Sequence, residues 1–224
     1  GRSMIDRDNW PPYQRERVCV VLGAMPITEE EAREIKSLSH RFLICADAGL
    51  ENARLHHLTP DLTLGDFDSL AGGEPEVSGP KLTFPVEKDD TDTMLGVKEG
   101  LARGYRRFLL YGSLGGRLDH TIANIVTLRY LLEQGAQGWI MSCDNCVTML
   151  KDGSMTFAKD DRFPHLSVFS YDPVAEGVTE IGGKYAPVTH SLTNLFPLGV
   201  SNSIVGDEAT VSVERGVLLI IRAR

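Results

Sequence analysis

Arg106-Arg107-Phe108-Leu109-Leu110-Tyr111-Gly112-Ser113-Leu114-Gly115-Gly116-Arg117-Leu118-Asp119-His120 is the stretch on which the fold turns. An apolar run from Arg106 to Tyr111 reads as a buried strand, Gly112 to Gly116 as a glycine-rich loop, and the pattern from about Asp119 to Gln134 as a long helix closed by Gly135. A strand feeding a helix through a short glycine loop is half of a βαβ unit.

Working outward, the same alternation recurs on both sides. Upstream, Val18 to Leu22 reads as a buried strand, and Thr28 with Glu31 forms a capping box opening a helix through about Ser39. Phe42 to Ala46 is a second strand ending at Asp47, and a short helical segment with Leu50, Ala53 and Leu55 follows. Leu62 to Leu64 and Lys81 to Phe84 are short strands, and Thr91 to Arg103 is a helix with Gly104 as its C′ residue. Downstream, Trp139 to Ser142 is a further strand. Strands and helices alternating at this spacing predict βαβ units and a mostly parallel sheet.

After about residue 146 helical periodicity gives way to period-two alternation. Val147 to Leu150, Leu166 to Tyr171, Val178 to Ile181, Ala209 to Val213 and Val217 to Ile221 read as strands, with Glu214-Arg215-Gly216 as a hairpin turn joining the last two. The expectation is an α/β domain over residues 1–146 with a mostly parallel sheet, followed by a smaller antiparallel β-sandwich domain over 147–224.

Composition excludes several classes. Of 224 residues, 42% are hydrophobic and 24% charged, ordinary globular usage that disfavours disorder and fibrous folds. The longest apolar stretch, Val18 to Leu22, is too short to cross a bilayer, and the first residues lack the apolar core of a signal peptide, so a cytoplasmic protein is expected. Gly1-Arg2-Ser3 before Met4 reads as an appended tag. The net charge is −8 and the basic residues are scattered, which argues against a nucleic-acid surface and suits a metal or a cationic substrate. Cys19 and Cys45 sit in apolar runs as reduced buried thiols; Cys143 and Cys146 have metal or redox spacing but no second Cys/His pair.

In an open parallel sheet the ligand lies outside the carboxyl ends of the strands. Acidic residues fall there repeatedly: Asp47, then Asp66 and Asp68, then Asp89, Asp90 and Asp92, then Asp119. Singly each is a turn former or helix cap; clustered carboxylates repel unless a cation sits among them, and Mg²⁺ suits hard oxygen ligands bridged to phosphate. The glycine loop feeding a helix start favours an anion, and Arg117 adds a planar fork for phosphate oxygens. Neither a P-loop nor a G-x-G-x-x-G fingerprint is present, which disfavours ordinary kinases and dehydrogenases. Lys88 either neutralises ligand phosphate or pairs with Asp89 or Asp90; His120, at a helix start, reads as structural.

Together Asp47-Ala48-Gly49, Pro60-Asp61 leading to Gly65-Asp66-Phe67-Asp68-Ser69, Lys88-Asp89-Asp90-Thr91-Asp92, Gly115-Gly116-Arg117-Leu118-Asp119-His120 with Asn124, and Ser201-Asn202 resemble the thiamine pyrophosphokinase family in order and spacing. The resemblance implies a homodimer with the active site between subunits, thiamine and ATP as substrates, and transfer of the terminal diphosphate of ATP to the thiamine hydroxyl with release of AMP. It implies that Asp47, Asp66, Asp68 and Asp92 hold Mg²⁺, that Asp66, Asp68, Asp92, Arg117 and Asp119 are catalytic, and that Lys88, Asp89, Gly115, Gly116, Arg117 and Asn124 belong to the ligand site. Ser201 and Asn202 are implied in a thiamine pocket supplied by the partner subunit. The chain departs from the family pattern at Ala48, where glycine is commoner, and at Ile220, near which animal members carry tryptophan. Rival readings are a pyrophosphokinase of the same fold acting on another alcohol such as a pterin, a non-catalytic thiamine or nucleotide sensor, and a metal-dependent phosphohydrolase.

Overall fold

A computed structural model describes residues 17–65, 80–83, 91–184, 190–197 and 202–224, the side chains of residues 47, 82 and 83 excepted. The described residues fall into two compact units, one within 14–143 and one within 144–224. Helices accompany a mixed set of strands, with parallel pairs in the first unit and antiparallel pairs, which take up more of the paired residues, in the second. Among the described residues no helix is long and apolar enough to cross a membrane.

The first unit runs β1 (Val18–Leu22), α1 (Glu29–Ser37), β2 (Arg41–Ala46), a 3₁₀ turn (Asp47–Gly49), α2 (Leu50–Leu55), β3 (Leu62–Gly65), β4 (Lys81–Thr83), α3 (Asp92–Ala102), β5 (Arg107–Tyr111), α4 (Leu118–Glu133) and β6 (Gln137–Met141). Its strands lie in the order β6-β5-β1-β2-β3-β4. The central strand β1 is buried at every residue, as expected of a parallel strand covered on both faces. The predicted cap of α1 is present, with Glu31 N–H donating to Thr28 Oγ1 at 3.1 Å. Thr91 caps α3 in the same way, accepting from Met94 N–H at 3.0 Å. Gly104 and Gly135 both carry positive φ beyond their helices.

The second unit contains β7 (Asn145–Ala158), β8 (His165–Ser170), β9 (Val174–Ile181), β10 (His190–Thr193) and β11 (Glu208–Ala223). Strand β11 is its spine. It pairs with β7 along its length, while its other edge is taken first by β9 and then by β8. The hairpin expected at Glu214-Arg215-Gly216 is not there. Both predicted strands are halves of β11, interrupted by a bulge in which Val213 faces Gly153 and Val217 faces Lys151. Gly216, at φ +119°, donates its N–H to Asp152 Oδ1 at 2.8 Å, and Asp152 itself has φ +44°. These residues carry the backbone past the partner strand instead of reversing it. The bulge also changes which residues are inside: Ala209, Val211 and Val213 are buried before it, and Leu218, Ile220 and Arg222 after it. Two further stretches were not anticipated, the extension of β7 from Lys151 to Ala158 and the short β10.

None of the four cysteines, all among the described residues, is in a disulfide. Burial pushes the Cys45 thiol up to about 12 and Cys19 higher still, so both are inert at neutral pH.

Candidate active site

The chain leaves β1 toward β2, β3 and β4 on one side, and returns on the other side of β1 with β5 and β6. The switch point therefore lies between β1 and β5, where the following loops diverge and open a crevice at the strands' carboxyl ends. Those loops are Gly23–Ile27 and Gly112–Arg117.

The two loops are tied to one another. Gly23 N–H donates to the Tyr111 carbonyl at 2.8 Å and Met25 N–H to that of Gly112 at 3.0 Å. A Cβ on Gly23 would lie 2.5 Å from the Gly112 carbonyl oxygen, and Gly112 has φ +65°, so both positions require glycine for this approach. From α2, the buried Asn52 donates to the Gly23 and Met25 carbonyls at 2.8 Å each and accepts from Ile27 N–H at 3.1 Å. From α4, the buried Asn124 donates to the Ser113 carbonyl at 2.9 Å. Backbone groups that a loop would otherwise bury unpaired are thus satisfied by two asparagines.

Around these loops is a cleft of about 400 Å³, lined among others by Met25, Asp92, Gly115, Arg117, His120 and Asn124. Arg117 is the N-cap residue of α4 and makes no side-chain cap bond. Its Nε donates to Asp119 Oδ1 at 3.1 Å and its Nη2 to Oδ2 at 2.6 Å. Those hydrogen bonds hold the Asp119 carboxyl below its usual pKa, helped by His120 N–H, which donates to Oδ1 at 3.0 Å. The result is a positioned guanidinium beside a helix N-terminus, a combination that attracts anions. Asp92, the first residue of α3, brings an exposed carboxylate to the same cleft.

Of the residues singled out in the sequence, Asp92, Gly115, Arg117 and Asn124 line this cleft, Gly116 adjoins it in the loop, and Asp119 grips Arg117. Asp47 opens the turn after β2, its side chain outside the description. Asp66, Asp68, Lys88, Asp89 and Ser201 lie outside the described residues. Among the described residues no group of three or more His, Cys, Asp or Glu side chains is placed to hold a metal. Asn202 belongs to the second unit. Its Nδ2 donates to Glu180 Oε2 at 2.6 Å, and its Oδ1 accepts from Lys184 N–H at 3.1 Å and Ser203 N–H at 2.9 Å. Glu180, half-buried, has its pKa raised by desolvation, with the Asn202 bond and His190 opposing the shift.

Sequence reasoning missed Gly23–Met25, Ser113 and the supporting Asn52. Gly23, directly after the apolar run Val18–Leu22, was a signal for the first of these. Asn52 carried none, since its contacts are 25 to 29 residues away. His120 lines the cleft, although its position at a helix start suggested a structural role.

Residues 36–140 match the family model described as the catalytic domain of thiamin pyrophosphokinase. The thiamine pyrophosphokinase of Bacillus subtilis (strain 168) is 27% identical over 188 residues, spanning 82% of this chain and 88% of the relative. A crystal structure of thiamine pyrophosphokinase from Bacillus subtilis superposes with a TM-score of 0.82 at 23% identity, over 93% of this chain and 99% of that one, a likeness of fold. A thiamin pyrophosphokinase family protein from Enterococcus faecalis gives a TM-score of 0.76 at 26% identity, again over 93% and 99%.

Proposed function

We infer that the chain belongs to the thiamine pyrophosphokinase family and transfers the terminal diphosphate of ATP to the hydroxyl of thiamine, giving thiamine diphosphate and AMP. The observation that carries this reading is the cleft at the β1/β5 switch point. It brings a glycine loop, a positioned arginine and an acidic helix start together within one cavity.

In this reading the thiamine oxygen attacks the β-phosphorus of ATP, the bond from that phosphorus to the α,β-bridging oxygen breaks, and AMP leaves with the bonding electrons. An aspartate of the acidic set takes the hydroxyl proton. Such chemistry depends on alignment and charge neutralisation. Arg117, oriented by Asp119, engages phosphate oxygens, and the loop at Gly115 and Gly116 with Lys88 and Asp89 receives the remaining nucleotide phosphates. Asn124 keeps that loop in shape through Ser113.

Asp47, Asp66, Asp68 and Asp92 are assigned to Mg²⁺. The donor set is composed of hard carboxylate oxygens, and Asp92 stands at the cleft, so these residues fit the ion. Held by these carboxylates, the ion would supply neutralisation of the charge on the transferring phosphates. We further assign residues 1–146 to an α/β catalytic domain and 147–224 to a thiamine-binding β-sandwich that contributes Ser201 and Asn202. The protein acts in the cytoplasm as a homodimer with the site between subunits, on small molecules rather than nucleic acid or membrane.

The test is incubation of purified protein with ATP, Mg²⁺ and thiamine, omitting each in turn, with chromatographic separation of products. Thiamine diphosphate and AMP in equal amounts, only in the complete mixture, is the expected result. AMP or ADP formed without thiamine would point to hydrolysis. Turnover with a pterin alcohol in place of thiamine would move the acceptor, and thiamine binding without products would leave a sensor.

A further inference from the structure

Arg222 is 2% exposed, one of the largest fully buried side chains among the described residues. Its position follows from the β11 bulge, which turns residues 218, 220 and 222 to the buried face, so that a guanidinium stands in line with Leu218 and Ile220. Two of its nitrogens, Nε and Nη2, are buried without a hydrogen-bond partner. A buried cation in that condition is expensive, and native proteins pair such groups or give them a ligand.

The neighbouring groups do not relieve it. Asp160 is gripped by Arg162, whose Nε donates to Oδ1 at 3.1 Å and Nη2 to Oδ2 at 2.8 Å. Neither Asp160 nor Asp161 bonds to the two orphaned nitrogens. The Phe157 ring, 5.9 Å from the guanidinium carbon, offers a π face but no acceptor for an in-plane N–H. Burial pushes the Arg222 pKa down, with Cys146 and Asp160 opposing it and Arg162 adding to it.

Arg222 lines a cavity of about 120 Å³ together with Lys159, Asp160, Asp161, Phe163 and Ser203. One water needs only about 10–15 Å³ of such space. The cavity therefore has room for a small polyatomic ion, and the donor-bearing side chains among its lining residues are Arg222, the exposed Lys159 and Ser203. A guanidinium fork matches tetrahedral and planar oxyanions alike, but a rim lysine and a hydroxyl set around it favour an ion with oxygens on several sides.

We propose that this cavity is a binding site for a small tetrahedral oxyanion of the phosphate or sulfate class, held by Arg222 with Lys159 and Ser203 at its mouth. It is separate from the Arg117 cleft and does not rest on the reaction proposed above.

The test is calorimetric titration of the full chain with inorganic phosphate, ionic strength being matched with potassium chloride, for wild type and for Arg222→Met, Lys159→Met, Ser203→Ala and Arg117→Ala. Arg222→Met is expected to abolish one phosphate site and to reduce the dependence of thermal stability on phosphate. Lys159→Met is expected to weaken that site at least several-fold, and Arg117→Ala to leave it intact. Sulfate should compete at the same site. Identical titrations for wild type and Arg222→Met, phosphate heat that disappears only with Arg117→Ala, or no response beyond chloride would each overturn the proposal. If Arg222→Met does not fold, Lys159→Met decides, because an unchanged affinity in that variant defeats the assignment.

Discussion

Arg117 and Arg222 have the same chemistry and opposite circumstances. Arg117 stands in the parallel unit at a strand's carboxyl end, 70% exposed at the side chain and held by Asp119 at 2.6 Å. Arg222 stands in the antiparallel unit within a strand, 2% exposed, with two nitrogens unpaired. The difference follows from how each fold disposes of polar groups. A parallel sheet collects them in loops at one end, where the chain can reach over and satisfy them. An antiparallel strand assigns each residue to a face by parity, so a charge can be carried inside by a bulge several residues away. A cation in the first setting is ready for a passing ligand, and one in the second needs a resident one.

The largest effect expected is in the cleft. Asp92→Asn should lower turnover by about 10²–10³-fold, the scale of removing one preorganised charge contact, while the melting temperature stays close to that of the wild type. Activity within a factor of two of wild type would remove Asp92 from the acidic set. Arg117→Ala should be milder, because an exposed arginine surrenders only charge-assisted hydrogen bonds to the phosphates. A loss of about 10–100-fold in kcat/KM for ATP is expected, partly recovered by Arg117→Lys. An unchanged dependence of rate on ATP concentration would mean that the Asp119 pair is merely a surface ion pair.

Next in size is the scaffold beneath the cleft. Asn52→Ala leaves two carbonyls and one N–H of the Gly23–Ile27 loop without their partner, each buried or partly so. At about 1–3 kcal/mol per unsatisfied buried group, partly relieved by water entering from the cleft, a net loss of about 2–3 kcal/mol is expected, or roughly 5–10 °C in melting temperature. Thermal unfolding measured with and without ATP would check it. A variant as stable as wild type would show that the loop holds its shape through the β1–β5 hydrogen bonds alone.

The same contrast governs what could be read from the sequence. In the parallel unit, Val18–Leu22 and Arg106–Tyr111 announce themselves as strands, Thr28 with Glu31 as a capping box, and Gly112 to Gly116 as a loop feeding a helix, because each signal is local. Asp92, Arg117, Asp119 and Asn124 were accordingly singled out; Asp92, Arg117 and Asn124 line one cleft, and Asp119 holds Arg117. Asn52 was invisible because its role is made entirely by contacts distant in sequence. In the antiparallel unit, Glu214-Arg215-Gly216 has the composition of a hairpin, and only the pairing of both flanking segments with β7 makes it a bulge. With the bulge unrecognised, the change of parity after it could not be read either, and Arg222 lay just beyond the strand expected over Val217 to Ile221.

Glu180 offers the finest test of the contrast, as a buried-side charge in the antiparallel unit that does have a partner. Its pKa is raised, desolvation outweighing the hydrogen bond from Asn202. A carboxyl whose folded pKa lies above its unfolded value favours the fold while protonated, and that contribution is lost as pH rises through the folded value. At neutral pH the ionised Glu180 therefore weighs slightly against folding. Glu180→Gln keeps an oxygen able to accept from Asn202 and cannot ionise. The melting temperature of the variant relative to wild type should therefore increase from pH 4 to pH 7, by less than the Asn52 change costs. A difference that stays flat or falls over that range would mean that Asn202 and His190 compensate the carboxylate fully. Arg222, with no such partner on two of its nitrogens, would then be the only one of the two charges whose burial still calls for a ligand.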